Sequence, residues 1–82
     1  MSAPPDWPCD SVFDGGAREC GELLLELRGH VRALPGGARV LVISASPGAP
    51  MELPTWCRLT GHRLVEAAHP HYLIETRGDA AQ

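Results

Sequence analysis

A continuous apolar run over residues 40–43 limits the fold of this chain more than any other feature. The run reads Val-Leu-Val-Ile, and a strand with apolar side chains on both faces belongs in the interior of a sheet. Pro35-Gly36-Gly37 stands just upstream and ends any helix that precedes it. The chain is therefore predicted to place a helix, a tight break and a central strand in succession.

Residues 21–34 are predicted to form that first helix, because their apolar side chains recur at helical spacing and make one stripe. The stripe consists of Leu23, Leu24, Leu27, Val31 and Leu34. Glu22 and Glu26 lie near the start of the helix, and Arg28 and Arg32 lie near its end. This order of charges suits the helix macrodipole.

A second helix is predicted to begin near Leu53 and to stop at Gly61, because Pro54 fits only in a first turn. Three further strands are predicted, over residues 9–13, 62–66 and 72–76. The last two strands are close enough in sequence to form a hairpin. The order β-α-β-α-β-β predicts an α/β two-layer sandwich of the α+β kind, in which two helices cover one face of a four-stranded mixed sheet.

A chain of 82 residues forms one domain, predicted here over residues 9–77. Residues 1–8, rich in Pro and small side chains, are predicted to be a disordered tail, and residues 78–82 a second tail. The formal net charge of −3 argues against direct contact with nucleic acid. The sequence contains neither a secretory signal nor an apolar run near the length of a membrane span, which predicts a cytoplasmic protein without membrane contact.

The three cysteines, Cys9, Cys20 and Cys57, make an odd number without a Cys-x-x-C pair. In a chain without a secretory signal they are interpreted as free thiols in a reducing compartment. A zinc site needs four ligands, and Cys9, Cys20, Cys57 and His62 could supply them only through a coincidence of folding. No metal is therefore expected.

Cys20 stands where the Gly-rich turn Asp14-Gly15-Gly16 gives way to the first helix. A cysteine at a helix N-terminus faces backbone N–H groups and the positive end of the macrodipole, and both favour the reactive thiolate. The alternative is that Cys20 packs as a small apolar side chain. Position alone leaves both interpretations open.

Several segments of the chain together match the sequence pattern of a known family. They are Asp14 six residues before Cys20, Leu27-Arg28, Val31-Arg32, Ser46-Pro47, the segment Glu52-Leu53-Pro54-Thr55-Trp56-Cys57, His62 and Leu64-Val65. From Asp14 to Val65 this pattern resembles the TusA-type (SirA-like) family of sulfur carriers without a gap. The resemblance covers about two-thirds of the chain. It implies the same two-layer fold as the residue pattern.

The family's functional motif is Cys-Pro-x-Pro, and the matching positions here read Cys20-Gly21-Glu22-Leu23. The resemblance implies that Cys20 carries sulfur as a persulfide, with Arg18, Gly21 and Glu22 at the helix start and in the partner-docking surface. Both prolines are replaced. Since Pro at the first helical position pre-sets φ, Gly21 makes the helix start less rigid, and it also restores one backbone N–H that can approach a sulfur anion.

By resemblance, the protein accepts sulfur from a donor such as a PLP-dependent cysteine desulfurase and passes it to an acceptor. The relay would serve thiolated tRNA, a sulfur-containing cofactor or sulfur oxidation. The carrier needs no cofactor of its own, works through protein partners and is expected to be a monomer. The alternative function is a non-catalytic binding or regulatory module that lost transfer with the motif prolines. A third hypothesis, a thiol redox or metal-trafficking protein, requires Cys20 to pair with Cys9 or Cys57.

Other side chains receive weaker assignments. Cys57 is a packing cysteine or a secondary thiol. His62 is interpreted as a hydrogen-bonded structural histidine, His30 as a surface residue, and His69 and His71 as residues of an exposed hairpin turn. Arg28 and Arg32 form a solvated face or, together with Arg18, a basic docking patch for acidic partners.

Overall fold

The computed structural model describes residues 7–17 and 19–77, and for Cys20 it describes the backbone only. The predicted C-terminal tail, residues 78–82, lies outside the described residues, as do Arg18 and residues 1–6 of the predicted N-terminal tail. In the part that is described, neither helix is long and apolar enough to cross a membrane.

The elements follow the predicted order, with bounds β1 (Ser11–Gly16), α1 (Cys20–Arg32), β2 (Arg39–Ser44), α2 (Ala49–Thr60), β3 (Arg63–Ala68) and β4 (His71–Glu75). The sheet has four strands in the order β1-β2-β4-β3. β1 runs parallel to β2, and β4 is antiparallel to both of its neighbours, β2 and β3. The predicted four-stranded mixed sheet and the α+β class are confirmed.

One hydrophobic core joins the two helices to the sheet. It combines Leu23 and Leu27 of α1 and Leu53 of α2 with alternate residues of the central strands, Val40, Val42, Tyr72 and Ile74. Because alternate residues of a strand point to the same face, both helices cover the same side of the sheet, as predicted. The buried side chains that α1 contributes to this core belong to its predicted apolar stripe.

The predicted start of the second helix was wrong. α2 begins at Ala49, four residues before Leu53, and Pro54 lies inside it. The carbonyl of Gly48 accepts the N–H groups of Met51 at 3.1 Å and of Glu52 at 2.9 Å, which closes a regular first turn. Pro54 supplies no N–H, but Ala49 and Leu53 on either side of the missing bond are fully buried. Their packing outweighs the lost hydrogen bond.

The predicted bounds of the first strand were also wrong. β1 covers Ser11–Gly16 rather than residues 9–13, because Ser11 pairs with Val40 and the ladder continues until Gly16 pairs with Ser44. The glycines that were interpreted as a turn thus form the end of a strand. The pairing register shifts between Asp14 and Gly16, where a carboxylate oxygen of Asp14 accepts the N–H of Gly16 at 3.0 Å.

Candidate functional site at the carboxyl edge of the parallel strands

Cys20 is the first residue of α1, which follows β1. Since β1 and β2 are parallel, their carboxyl ends lie at the same edge of the sheet, and the helices that follow them both begin there. The N–H of Ala45 donates to the carbonyl of Gly16 at 2.9 Å and closes this edge between the two strands. We call the region formed by Gly16, Cys20, Ala45 and the first turns of α1 and α2 the carboxyl edge.

The β3–β4 hairpin reaches the carboxyl edge from the other side of β2. His71 pairs with Ile43 near the end of β2, and the N–H of Ser44 donates to the carbonyl of Pro70 at 2.9 Å. The turn at residues 69–70 therefore lies beside the carboxyl end of β2, which α2 follows. Two helix N-termini and one hairpin turn meet at the same end of the molecule as Cys20.

The first turn of α1 offers backbone N–H groups to this edge. Glu19, the N-cap residue, is extended (φ −68°, ψ 152°), and its side chain makes no capping hydrogen bond. The first N–H groups of a helix have no partner within it, so they and the macrodipole favour a negative charge beside Cys20. Such a position favours the thiolate, which is the nucleophilic form of cysteine.

Gly21 and Glu22, the two residues after Cys20, are both exposed. Apart from the two neighbouring residues and the helix's own backbone, no described atom lies within 4 Å of the position that a Cβ on Gly21 would occupy. The described surface at Gly21 is therefore open to an approaching partner. The carboxylate of Glu22 faces water, which screens its repulsion of a nearby thiolate.

The described charged residues at the carboxyl edge are acidic. Asp14 lies two residues before the end of β1, Glu19 and Glu22 stand at the start of α1, and Glu52 lies in the first turn of α2; all four are exposed. Arg28 and Arg32 are exposed as well, but they follow Cys20 by eight and twelve residues along α1. At 1.5 Å per residue these distances along the helix are about 12 and 18 Å. Arg28 and Arg32 of the predicted basic patch thus lie along α1, and Arg18, its third member, lies outside the described residues.

Cys57 lies in the hydrophobic core on α2, with 2% of its surface exposed. Burial raises the pKa of its thiol to about 12. At neutral pH this thiol is protonated and shielded from solvent, which opposes the role of a secondary thiol. Its position fits the interpretation as a packing cysteine.

Cys9 is exposed and precedes β1, at the end of the sheet opposite to Cys20. The hydroxyl of Ser11 lies 2.8 Å from Nε2 of His30, which places the start of β1 ten residues, or about 15 Å, along α1 from Cys20. A disulfide needs Cα atoms less than about 7 Å apart. Cys9 is therefore not placed to pair with Cys20, and the redox hypothesis loses this partner.

No group of three or more His, Cys, Asp or Glu side chains that could hold a metal occurs among the described residues. His62 lies at the junction of α2 and β3. Its Nδ1 accepts the backbone N–H of Arg77 at 3.1 Å, and its ring packs against Trp56 with 5.2 Å between centroids. These contacts agree with a structural histidine.

Two histidine contacts were not anticipated from the sequence. His30 was predicted at the surface, but it is half-buried between Ser11 and Phe13, with 5.3 Å between the His30 and Phe13 ring centroids. His69 lies in the exposed hairpin turn as predicted, and its Nδ1 shares a hydrogen bond with the hydroxyl of the buried Tyr72. The contacts of His30 join α1 to β1, and that of His69 joins the hairpin turn to β4, so the periodicity of any one element could not reveal them.

The fold and the site define a small two-layer α/β protein with a cysteine at a helix N-terminus beside parallel strands. A sequence model of the family described as “Sulfurtransferase TusA” matches residues 14–76. The match begins at Asp14 of β1 and ends just after β4, so it includes Cys20 and both helices. The chain belongs to the TusA family.

Individual relatives are similar over most of the chain. The “Sulfur carrier protein TusA” of Pseudomonas fluorescens (strain SBW25) is 33% identical over 66 residues, which cover 80% of this chain and 80% of the relative. The protein of the same description from Pseudomonas putida (strain W619) is 31% identical over 78 residues, covering 90% of this chain and 98% of the relative. That from Pseudomonas paraeruginosa (strain DSM 24068 / PA7) is 34% identical over 59 residues, covering 72% and 75%.

Proposed function

We propose that this protein is a sulfur carrier in a sulfur relay and that Cys20 is the residue that carries the sulfur. The observation that supports the assignment most is the position of Cys20, the first residue of α1, at an open edge of a TusA fold. Its relatives are sulfur carrier proteins by description. A carrier of this kind requires an accessible thiol that is readily ionised and a surface to which donor and acceptor can bind in turn.

The transfer is a thiol–persulfide exchange. The Cys20 thiolate attacks the outer sulfur of a donor protein's persulfide, and a new S–S bond forms between Sγ of Cys20 and that sulfur. The donor's S–S bond breaks, and its electron pair remains on the donor cysteine, which leaves as a thiolate. No oxidant or reductant is consumed, and the rate depends on the thiolate fraction and on access. The acceptor then takes the outer sulfur from Cys20.

Gly21 and Glu22 take part through the first turn of α1. At the second helical position Gly21 provides a backbone N–H where the family motif has a proline, and this donor can approach the sulfur anion. Glu22 is exposed and contributes to the acidic surface that meets the partner. Arg18, at the other side of Cys20 in sequence, is proposed to contact the partner as well.

The proposed partners are proteins: a persulfide donor such as a cysteine desulfurase, and a downstream acceptor. A protein interface of ordinary size covers about 800 Å² on each side, so a partner docked over Cys20 can also reach Arg28 and Arg32 on α1. We propose that the carrier acts as a monomer in the cytoplasm and does not bind nucleic acid directly, since its net charge is −3.

Mass spectrometry of the intact protein tests the assignment. The protein is incubated with a cysteine desulfurase and free cysteine, and the expected result is a mass gain of one sulfur atom. Cys20→Ser should gain none, whereas Cys9→Ser and Cys57→Ser should gain as much as the unmodified sequence. A wild-type protein that binds the desulfurase but gains no sulfur, or an equal gain in Cys20→Ser, contradicts the proposal.

A further inference from the structure

Gly15 and Leu23 meet where β1 passes under the first turn of α1. Gly15 is buried, and Leu23 is 0% exposed. A Cβ on Gly15 would overlap Cδ1 of Leu23, and it would lie 3.3 Å from Cγ of Leu23 and 3.1 Å from the carbonyl oxygen of Ile43. Leu23 therefore occupies the space that a side chain on Gly15 would fill.

Leu23 is also the point at which the first turn of α1 is attached to the protein. Its N–H donates to the carbonyl of Glu19 at 2.9 Å and closes the turn that contains Cys20. Glu19, Gly21 and Glu22 are exposed, and Glu19 makes no side-chain cap. Among these residues only Leu23 enters the core.

We infer that Gly15 is a positioning residue for Cys20: the absence of a side chain lets Leu23 seat against β1, and this contact holds the first turn of α1 in place. The inference rests on the proposed role of Cys20. Leu23 stands at the last position of the family motif, where a proline would restrict the backbone directly. In this chain a tertiary contact between strand and helix restricts the same turn.

The physical consequence concerns the environment of the thiol. A helix N-terminus stabilises a nearby negative charge only while its N–H groups remain aligned within the first turn. An alanine at position 15 forces the Leu23 side chain or the turn itself away from β1, because the overlapping atoms cannot both keep their places. The thiolate of Cys20 then loses part of its stabilisation.

The pH dependence of Cys20 alkylation by iodoacetamide tests the inference, in a Cys9→Ser background so that a single accessible thiol is followed. In Gly15→Ala the midpoint should move to higher pH. The rate of Cys20 alkylation at pH 7 should fall by about two- to fivefold. This is the decrease in thiolate population expected when a helix N-terminus no longer stabilises the negative charge. Gly29→Ala is the matched control, because Gly29 is exposed on the same helix with open space around it.

A rescue variant separates positioning from general damage. Leu23→Val removes the Cδ atoms that the new Cβ would overlap and keeps an apolar contact, so Gly15→Ala with Leu23→Val should return the midpoint towards that of the parent. A folded Gly15→Ala protein whose pH profile coincides with that of Gly29→Ala overturns the inference. If Gly15→Ala does not fold, Leu23→Ala replaces it and should raise the midpoint; an unchanged midpoint in that variant overturns the inference equally.

Alkylation requires no sulfur donor, so the proposed function is tested separately. A parent protein that gains no sulfur from the desulfurase contradicts the carrier function, whereas the shift in the alkylation profile still reports whether Gly15 and Leu23 position the thiol. Conversely, normal sulfur loading with an unchanged profile in Gly15→Ala refutes the positioning role alone.

Discussion

Nδ1 of His62 accepts the backbone N–H of Arg77 at 3.1 Å, and this bond ties the entry of β3 to the residues that follow β4. The nitrogen must be unprotonated to accept it. The pKa of His62 is lowered from its ordinary value, first by burial and second by the positive charge of Arg77. The folded protein therefore favours the neutral imidazole more than the unfolded chain does.

A pH dependence of stability follows from His62. Because its folded pKa is depressed, its contribution is fully present above the unfolded value of about 6.5 and is lost as pH falls from there through the folded pKa. We expect the free energy of unfolding in urea to decrease more between pH 7.5 and pH 5 for the parent than for His62→Gln. The measurement is a series of urea titrations across this range.

His71→Gln is the control for that experiment, since it makes the same chemical change on β4, outside the contact with Arg77. It should keep the parent's pH dependence. Equal pH dependence in His62→Gln and the parent contradicts the assigned role of the His62–Arg77 bond. NMR titration of the His62 ring provides a direct second measurement.

The thiols differ in their accessibility, which predicts a labelling pattern. With its thiol buried and its pKa raised to about 12, Cys57 should remain unlabelled when native protein is treated with iodoacetamide at pH 7.5. Cys9 is exposed and should be labelled under the same conditions. Peptide mass spectrometry after quenching measures both, and labelling in urea should modify Cys57 as well. Rapid native labelling of Cys57 would show that the core around α2 opens readily.

The order of elements could be predicted from the sequence because each has a local signal. The stripe of Leu23, Leu27 and Val31 indicates a helix, and the apolar run over residues 40–43 indicates a central strand. The start of α2 could not be predicted in this way. A proline inside a helix costs a hydrogen bond, and the burial of Ala49 and Leu53 that offsets this cost depends on the sheet beneath them.

For the candidate site as well, some features could be predicted from the sequence and others could not. A cysteine after a Gly-rich segment and before a helical stripe makes Cys20 a candidate from local pattern, although position alone left open whether its thiol is reactive or packs as a small apolar side chain. The contact between Gly15 and Leu23 is different, because it depends on how closely α1 approaches β1. Glycine next to Asp14 indicated a turn, and only the pairing of Asp14 and Gly16 with β2 shows that Gly15, at the shift in register between them, is part of a strand under the helix.

A leucine-to-alanine substitution should change the free energy of unfolding very differently on the two faces of α1. Leu27 is 0% exposed in the core and Leu25 is 71% exposed. Leu27→Ala should lower the free energy of unfolding by about 2–5 kcal/mol, since it removes buried methyl groups and leaves a cavity. Leu25→Ala should change it by no more than about 0.5 kcal/mol. Urea unfolding of the two variants measures the difference, and similar losses in both would contradict the assigned orientation of α1.

The end of α2 is fixed by Gly61, which has φ +85° and donates its N–H to the carbonyl of Cys57 at 2.8 Å. A side chain on Gly61 is disfavoured by the left-handed backbone and would also overlap the side chain of Arg77. Gly61→Ala should therefore destabilise the protein by about 1–2 kcal/mol, the usual penalty for an L-residue in this conformation.

Gly29→Ala, at an exposed position inside α1, should stabilise the protein, in contrast to Gly61→Ala. Beyond the helix's own backbone and the two neighbouring residues, no atom of the described part of the chain lies within 4 Å of a Cβ there, and alanine is the better helix former by about 1 kcal/mol. It should raise the melting temperature, whereas Gly61→Ala should lower it.

Because Arg77 also lowers the pKa of His62, displacing the Arg77 side chain in Gly61→Ala should move the titration midpoint of His62 upward. An unchanged midpoint together with normal stability would show that Arg77 does not pack against the end of α2.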